Sequence, residues 1–280
     1  MRTLTTLIDE LSFPEGPRWH DERLFFSDMH AHRVIAVDLA GRTETICEVP
    51  TWPSGLGWLP DGRMLVVSMT DRRLLRLDRD GLKVAADLSQ LASFHCNDMV
   101  VDAHGRAYIG NFGFDLHAGS APRLAAIVMV EHNGAARVVA DQMRFPNGSV
   151  ITPDGKTLIV GESTGACLTA FDIDADGSLR NRRVWAGIAP AVPDGIALDA
   201  EGAIWVASPV TDEVIRVTEG GKVIERIKTA NHAYACMLGG PGRRTLFVLT
   251  AADSDPDKCR AKATGRIETA PVEVPGAGLP

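Results

Sequence analysis

The sequence predicts an all-β fold, a six-bladed β-propeller whose ring is closed by strands from the N- and C-termini. The main observation is a repeated plan: a small or polar residue, an apolar run, an Asp/Gly turn, a β-rich run, a polar break and a second β-rich run. Successive repeats begin 39, 43, 50, 47 and 42 residues apart, at Glu15, Ser54, Asn97, Asn147, Asp194 and Cys236. Periods of roughly 40–50 residues built from short strands are typical of propeller blades.

The register inside the repeats supports the same fold. In each repeat, nine positions separate the start from the residue at the beginning of the β-rich run after the turn, as from Ser54 to Arg63 and from Asp194 to Ala203. Four repeats place a glycine in the intervening turn, which supplies the positive φ that a tight hairpin needs: Gly62, Gly105, Gly155 and Gly202. The alternative is a β-sandwich whose hairpins resemble one another by chance, and the constant offset argues against it.

The two ends of the chain are predicted to complete one blade. Residues 1–9 precede the first repeat and Gly265–Val274 follows the last, and both have the composition of a strand. Pairing them would remove the open edges of the ring. Helical periodicity is nearly absent, apart from a turn near Ser89–Phe94. Because no Pro/Gly-rich linker divides the chain, residues 1–280 are expected to form a single domain.

Composition excludes several partners. The formal net charge is −7 without a basic stretch, so a nucleic-acid partner is not expected. No apolar run reaches the ~18 residues of a membrane span, so no membrane partner is expected either. The five cysteines contain no CxxC pair and the N-terminus does not read as a signal peptide, which favours a cytoplasmic protein with reduced thiols. A monomer or a homodimer is expected.

The starts of the repeats carry the candidate chemistry. In a propeller the innermost strands run along a central channel, so equivalent positions at their starts form a ring around it. Here the ring includes Glu15, Asn97, Asn147 and Asp194, whose oxygens are suitable ligands for a divalent cation. The alternative is that Asn147-Gly148 and Asp194-Gly195 are ordinary turn dipeptides.

Four short motifs resemble those of the senescence-marker-protein/gluconolactonase (regucalcin-like) family. They are Glu15-Gly16-Pro17-Arg18-Trp19, Asn97-Asp98, Asn147-Gly148 with Pro153-Asp154-Gly155-Lys156-Thr157, and Pro193-Asp194-Gly195. The similarity extends in order from Phe13 to about Ala251. It implies a six-bladed propeller with one catalytic divalent metal in the channel, whose ligands would be Glu15, Asn147 and Asp194.

The same resemblance suggests substrate contacts. Asn97 would lie beside the metal and touch it through water or bind substrate, and His95 and Ser54 are the other expected substrate-binding residues. Sugar lactonases of the family often have an arginine where this chain has His95, which argues for a less polar lactone. The insertion at residues 110–124, with Phe112, is expected to form a lid, or else an ordinary surface loop.

The function expected from these residues is a divalent-metal-dependent hydrolase, a lactonase or carboxylic ester hydrolase that opens a sugar-type or less polar lactone by attack of activated water. Asp194 is the expected proton acceptor, with His95 as a rival base; His232 could reach the same mouth. Ca²⁺ is the expected cofactor, while Zn²⁺, Mn²⁺, Mg²⁺ and Fe²⁺ remain open. The alternatives are a non-enzymatic metal-binding or regulatory propeller and another metal-assisted reaction, such as phosphoester hydrolysis or a rearrangement.

Overall fold

Six four-stranded antiparallel sheets make up the computed structural model, which describes residues 2–280. The first five blades are each built from four consecutive strands. Their bounds are β2 Pro14–His20, β3 Arg23–Asp28, β4 Arg33–Val37 and β5 Thr43–Glu48; β6 Pro53–Trp58, β7 Met64–Ser68, β8 Arg73–Asp78 and β9 Gly81–Asp87; β10 Cys96–Val101, β11 Ala107–Asn111, β12 Ala125–Val130 and β13 Ala136–Met143; β14 Pro146–Ile151, β15 Thr157–Glu162, β16 Cys167–Ile173 and β17 Leu179–Gly187; β18 Ile196–Leu198, β19 Ile204–Ser208, β20 Glu213–Val217 and β21 Val223–Lys228.

The sixth blade joins the two ends of the chain. It contains β22 (His232–Gly239), β23 (Thr245–Ala251), β24 (Gly265–Pro271) and β1 (Thr5–Leu11), in that order from the centre outwards. Strand β1 pairs with β24 from Thr5 opposite Thr269 to Leu11 opposite Gly265. The prediction of a six-bladed propeller closed by its terminal strands is therefore confirmed.

The innermost strands form a closed ring. Each of β2, β6, β10, β14, β18 and β22 contacts the next, and β22 returns to β2. Between neighbouring blades the sheets bury apolar side chains against each other; Phe26 of the first blade and Phe247 of the sixth, for example, share one core cluster. Because the interfaces between blades are apolar, the polar side chains at the strand starts are left to the channel.

Glycines allow the innermost strands to approach closely. A Cβ added at Gly148 would lie 2.5 Å from the backbone oxygen of Asp194, and one added at Gly195 would lie 2.7 Å from the Cα of Ala235. The Gly148 amide donates to the Asp194 carbonyl at 3.1 Å, so that neighbouring strands meet directly. Asn147-Gly148 is thus part of strand β14 and not a turn, and Asp194-Gly195 leads directly into β18. The glycines are required for packing at the centre of the ring.

The structure corrects the sixth predicted start. Cys236 is the fifth residue of β22, but the residue equivalent to Asp194 is Tyr234, because the Gly195 amide donates to the Tyr234 carbonyl at 2.8 Å just as the Gly148 amide donates to the Asp194 carbonyl. Tyr234 lines the cavity of the channel, whereas Cys236, two residues further along the strand, lies deeper in the blade. The Cys236 thiol is buried between the fifth and sixth blades and donates to the carbonyls of Gly195 and Trp205 at 3.5 and 3.4 Å.

Segments outside the sheets are short. Helix α1 (Pro256–Lys262) lies between β23 and β24 and was not predicted, although Asp255 caps its N-terminus and Pro256 begins it. Three 3₁₀ turns occupy Met29–Ala31, Ser163–Gly165 and Pro241–Arg243. The turn expected near Ser89–Phe94 is present, with the Leu91 and Ala92 amides donating to Leu88. Among residues 2–280, no helix has the length and apolar character needed to cross a membrane.

The C-terminal tail, residues 272–280, runs beneath three blades. Leu279 exchanges two backbone hydrogen bonds with Ile151 at the end of β14, at 2.7 and 2.9 Å. Ala277 donates to Leu198 at the end of β18. Because these contacts lie at the ends of innermost strands whose starts face the channel mouth, the tail fastens the side of the ring opposite the candidate site.

Candidate functional site

A cavity of about 550 Å³ opens at the end of the channel where the innermost strands begin. Glu15, Asn97, Asn147 and Asp194 all line it, so the structure brings together four of the six predicted starts. They come from the first, third, fourth and fifth blades, so residues 47 to 82 positions apart in sequence meet around one axis. These side chains form the polar floor of the cavity.

Two predicted substrate-binding residues lie elsewhere. Neither Ser54 nor His95 belongs to the cavity lining, as judged over residues 2–280. Ser54 is almost completely buried and its carbonyl accepts from the Ser27 hydroxyl at 2.7 Å. The His95 ring stacks on Phe94 at 4.1 Å and has Trp52 at its edge. Burial lowers the pKa of His95, so its imidazole is more readily neutral than usual. Their roles in substrate binding remain predictions.

Glu15 is held by the local backbone of β2. Its carboxylate accepts from the Gly16 amide at 2.9 Å, and Gly16 adopts a φ of +55°, which glycine reaches at little cost. Removal from water raises the pKa of Glu15 to about 8, and the nearby negative charge of Asp98 adds to that rise. The hydrogen bond from Gly16 and the positive charge of Arg18 are therefore too weak to keep the pKa of this carboxyl in its usual range.

Asp194 is also a buried carboxyl with a raised pKa. Its backbone amide donates to the Ala207 carbonyl at 3.0 Å, which fixes the residue at the entrance to β18. Burial raises the pKa of Asp194 well above its usual range, and repulsion from Glu15 raises it further. A hydrogen bond from Asn147 acts in the opposite direction. Glu15 and Asp194 are therefore close enough to disfavour each other's ionised form.

The two asparagines complete the floor. Asn147 donates through Nδ2 to the Ser163 hydroxyl at 3.2 Å, and that hydroxyl donates to the Pro193 carbonyl at 2.7 Å. Asn97 is buried, and its Nδ2 has no hydrogen-bond partner among residues 2–280. A buried amide without a partner is costly, so this position is suited to a ligand.

Arg18 and Asp98 form a buried ion pair beneath the floor, which the sequence reasoning left without a role. Arg18 Nη2 lies 2.6 Å from Asp98 Oδ1, and the two side chains are only 5% and 10% exposed. Both residues belong to the motifs that carry the family resemblance, and their opposite charges were the available signal. The carboxylates of Glu15, Asp98 and Asp194 thus interact with one another, while the Arg18 guanidinium is paired with Asp98, which leaves two negative charges uncompensated when all three are ionised.

This charge balance fits a divalent cation. Two uncompensated negative charges, with amide oxygens beside them, are the environment that a hard dication stabilises. No cluster of three His, Cys, Asp or Glu side chains suited to a metal ion occurs within residues 2–280, and this floor combines carboxylates with amides instead.

Above the floor, the cavity wall is largely aromatic and includes several histidines. His30, His117 and His232 line it, and His232 Nδ1 lies 2.6 Å from an Asp212 carboxylate oxygen. His30 is 1% exposed, and burial lowers its pKa to about 4. His30 lies in the 3₁₀ turn after β3 and belongs to no motif that could have identified it from sequence. Leu116 and His117 of the 110–124 insertion also line the cavity, as a lid segment would.

Comparisons with known proteins agree with this architecture. Residues 13–252 match the family described as "SMP-30/Gluconolactonase/LRE-like region". A pentonolactonase of Haloferax volcanii is 26% identical over 257 residues, covering 89% of this chain and 85% of its own. Regucalcin of Xenopus laevis is 30% identical over 249 residues, covering 85% and 83%. The crystal structure of a calcium-binding regucalcin from Agrobacterium tumefaciens superimposes with a TM-score of 0.82 at 22% identity, covering 100% of this chain and 97% of its own.

Proposed function

The chain belongs to the SMP-30/gluconolactonase/LRE-like family, and from that premise we propose that it is a divalent-metal-dependent hydrolase that opens a lactone ring. The family match supports the reaction class, since the similar proteins include a pentonolactonase. The observation that carries the metal dependence is the charge imbalance of the cavity floor, where three interacting carboxylates are accompanied by one guanidinium, which is paired with Asp98. Without a cation, this arrangement only destabilises the ionised carboxylates.

The proposed ligands are Glu15, Asn147 and Asp194. They come from three blades and meet at one floor, so the closed ring fixes their relative positions before an ion arrives. All offer oxygen atoms, which favours Ca²⁺ and is also compatible with Mg²⁺, Mn²⁺, Zn²⁺ or Fe²⁺. When bound, a divalent cation supplies electrophilic polarisation of the lactone carbonyl and of the attacking water.

The chain's own groups then handle the substrate and the protons. The oxygen of water adds to the lactone carbonyl carbon, the ring C–O bond breaks, and the product is a hydroxy acid. Asp194, whose carboxylate lines the floor, is the proposed acceptor of the proton that leaves the water and the donor of that proton to the ring oxygen as the C–O bond breaks. The Asn97 amide, buried and without a partner, is the proposed hydrogen-bond donor to substrate oxygen.

The experiment compares wild type with Glu15→Gln and, as a matched control, Glu219→Gln on the exposed surface. Protein stripped by a chelator is titrated with each divalent ion in a calorimeter, and acid release is followed from several lactones. We expect Glu15→Gln to lose ion binding and turnover while keeping its circular dichroism spectrum, and the control to keep all three.

Full turnover in Glu15→Gln would contradict the metal assignment. Tight ion binding by a wild-type protein that opens no lactone would instead favour a binding role or another metal-assisted reaction at this floor.

A further inference from the structure

The wall above the polar floor is an apolar surface made mainly of ring and thioether side chains. Its members are buried, share one core cluster and line the cavity: Phe13, Met29, Met69, Phe112, Phe145 and Tyr234. Thioethers adapt to irregular apolar shapes and make favourable contacts with aromatic rings. A flat apolar group entering this cavity would therefore meet suitable partners.

The aromatic residues form two pairs on opposite sides of the channel. Phe13 and Tyr234, with ring centres 4.6 Å apart, lie where the first and sixth blades meet. Phe112 and Phe145, with ring centres 4.4 Å apart, lie where the third and fourth blades meet. In a ring of six blades these two boundaries face each other across the axis. A planar group at the centre can contact rings from both sides.

The backbone at Phe145 is held in an unfavourable conformation. Its φ is +62°, a left-handed value that is rare for a bulky residue. Phe145 lies two residues before Asn147 of the floor, and its ring is part of the wall. Strained residues of this kind persist where the surrounding structure holds them, which is common at binding sites.

The rim of the cavity is apolar as well. Leu116 from the 110–124 insertion is 43% exposed, and Val210 from the fifth blade is 62% exposed, and both line the cavity. Exposed apolar side chains around a concave site lose their contact with water when a ligand covers them. The apolar contact surface therefore continues from the wall to the mouth.

Charge is confined to the floor and the histidines. No Lys or Arg from residues 2–280 lines the cavity, so the wall lacks the cationic donors that grip several hydroxyl groups at once. His30 is neutral at pH 7, because burial lowers its pKa to about 4. The cavity volume of about 550 Å³ falls in the range of roughly 300–1,000 Å³ found for drug-sized ligands.

We propose that the substrate is a lactone carrying an aromatic substituent, with its carbonyl at the polar floor and its aryl group between the two aromatic pairs. This inference rests on the proposed function for the ring-opening step and adds the class of substrate. The lactone ring accounts for the polar floor, and the aryl group accounts for the wall and the rim.

The test uses γ-phenyl-γ-butyrolactone, the unsubstituted γ-butyrolactone and glucono-δ-lactone with the cation-loaded protein. We expect kcat/KM for the phenyl compound to exceed that for each of the others by at least about tenfold, since an aryl group buries a large apolar area. The rim variants Leu116→Ser and Val210→Ser alter exposed positions and should fold normally. Each is expected to raise the KM for the phenyl compound about three- to tenfold, and by less for γ-butyrolactone.

Val184→Ser is the matched control, because Val184 is 70% exposed and outside this cavity. It should leave the KM for both compounds unchanged. Equal effects of the control and the rim variants on the phenyl compound would overturn the inference. So would turnover of glucono-δ-lactone in preference to the phenyl compound, although the proposed function would then stand.

If no lactone is opened, the proposed function fails, and binding decides the inference separately. The phenyl-substituted lactam and the unsubstituted lactam are not expected to be hydrolysed, and their dissociation constants can be measured by calorimetry. Tighter binding of the phenyl lactam, weakened in Val210→Ser, would support an aryl ligand in this cavity. Equal affinity for the two lactams would refute it.

Discussion

Replacing Arg18 with methionine tests the energetic role of the ion pair beneath the cavity floor. The Arg18 guanidinium donates to Asp98 at 2.6 Å, to the Leu56 carbonyl at 3.0 Å and to the Pro17 carbonyl at 2.7 Å, and also to the Met99 carbonyl. These acceptors lie on the first three blades, so one side chain connects three innermost strands. Methionine fills a similar volume without a charge or a donor.

The expected cost follows from what the substitution leaves behind. Asp98 is buried and would keep one hydrogen bond, from the Met99 amide at 2.8 Å, but no cation. Removing one partner of a buried pair typically costs about 3–5 kcal/mol, because the other charge stays desolvated. Burial already raises the pKa of Asp98 despite the attraction of Arg18, so the carboxyl would become protonated more readily in the variant.

Equilibrium urea unfolding, followed by tryptophan fluorescence at pH 7.5, measures this loss. The control is Arg42→Met, which breaks a 2.7 Å ion pair to Asp38 on a side chain that is 84% exposed, and it should cost less than about 1 kcal/mol. The double variant Arg18→Met/Asp98→Asn should be more stable than Arg18→Met alone, because it no longer buries an unpaired charge. An Arg18→Met protein within about 1 kcal/mol of wild type would refute the reasoning.

Three further predictions concern stability. Because burial lowers the pKa of His30 from 6.5 to about 4, the unfolded chain binds a proton before the folded one as the pH falls, and His30 should lower the free energy of unfolding by about 2 kcal/mol between pH 8 and pH 5. Urea unfolding of wild type and His30→Gln at both pH values measures this loss, and equal pH dependence of the two proteins would contradict it. Gly148→Ala should lower the free energy of unfolding by at least about 1–3 kcal/mol, because the added Cβ would lie 2.5 Å from the Asp194 carbonyl oxygen. The control Gly187→Ala, whose Cβ would have no atom within 4 Å, should lose less than half as much. Equal urea midpoints for these two variants would contradict the close packing at Gly148. Removal of residues 275–280 should lower the free energy of unfolding by about 2–4 kcal/mol, because four backbone hydrogen bonds to Ile151, Leu198 and Ala200 are lost. Calorimetric melting measures this loss. An unchanged melting temperature would show that the tail does not stabilise the blades.

The blade count and the closure of the ring could be predicted from sequence because both depend on local signals. Hairpins with Asp-Gly or similar turns repeat at a steady spacing, and each strand can be recognised from its own residues and the turns beside it. The same spacing identified Glu15, Asn97, Asn147 and Asp194 as equivalent positions, and the closed ring brings all four to one cavity. Their proposed roles toward a metal and substrate remain predictions.

The repeat pattern puts the sixth start two residues too late, at Cys236 and not at Tyr234, because no Asp-Gly turn marks that repeat. The hairpin is longer there, since eleven positions separate Tyr234 from Thr245 where the other repeats have nine. His95 had a similar outcome: its spacing of two residues from Asn97 suggested a shared face, but its ring packs between Phe94 and Trp52.

The sequence by itself determined which residues form the blades and which polar side chains begin them, since repeats and turns are written in neighbouring residues. Only the tertiary structure decided that Arg18 lies against Asp98, eighty positions away, and that Phe13 and Tyr234 stand across the channel from Phe112 and Phe145. Contacts of this kind depend on closing the ring, which brings together side chains that share no local pattern. The charge balance of the floor and the apolar wall of the cavity both arise from that closure.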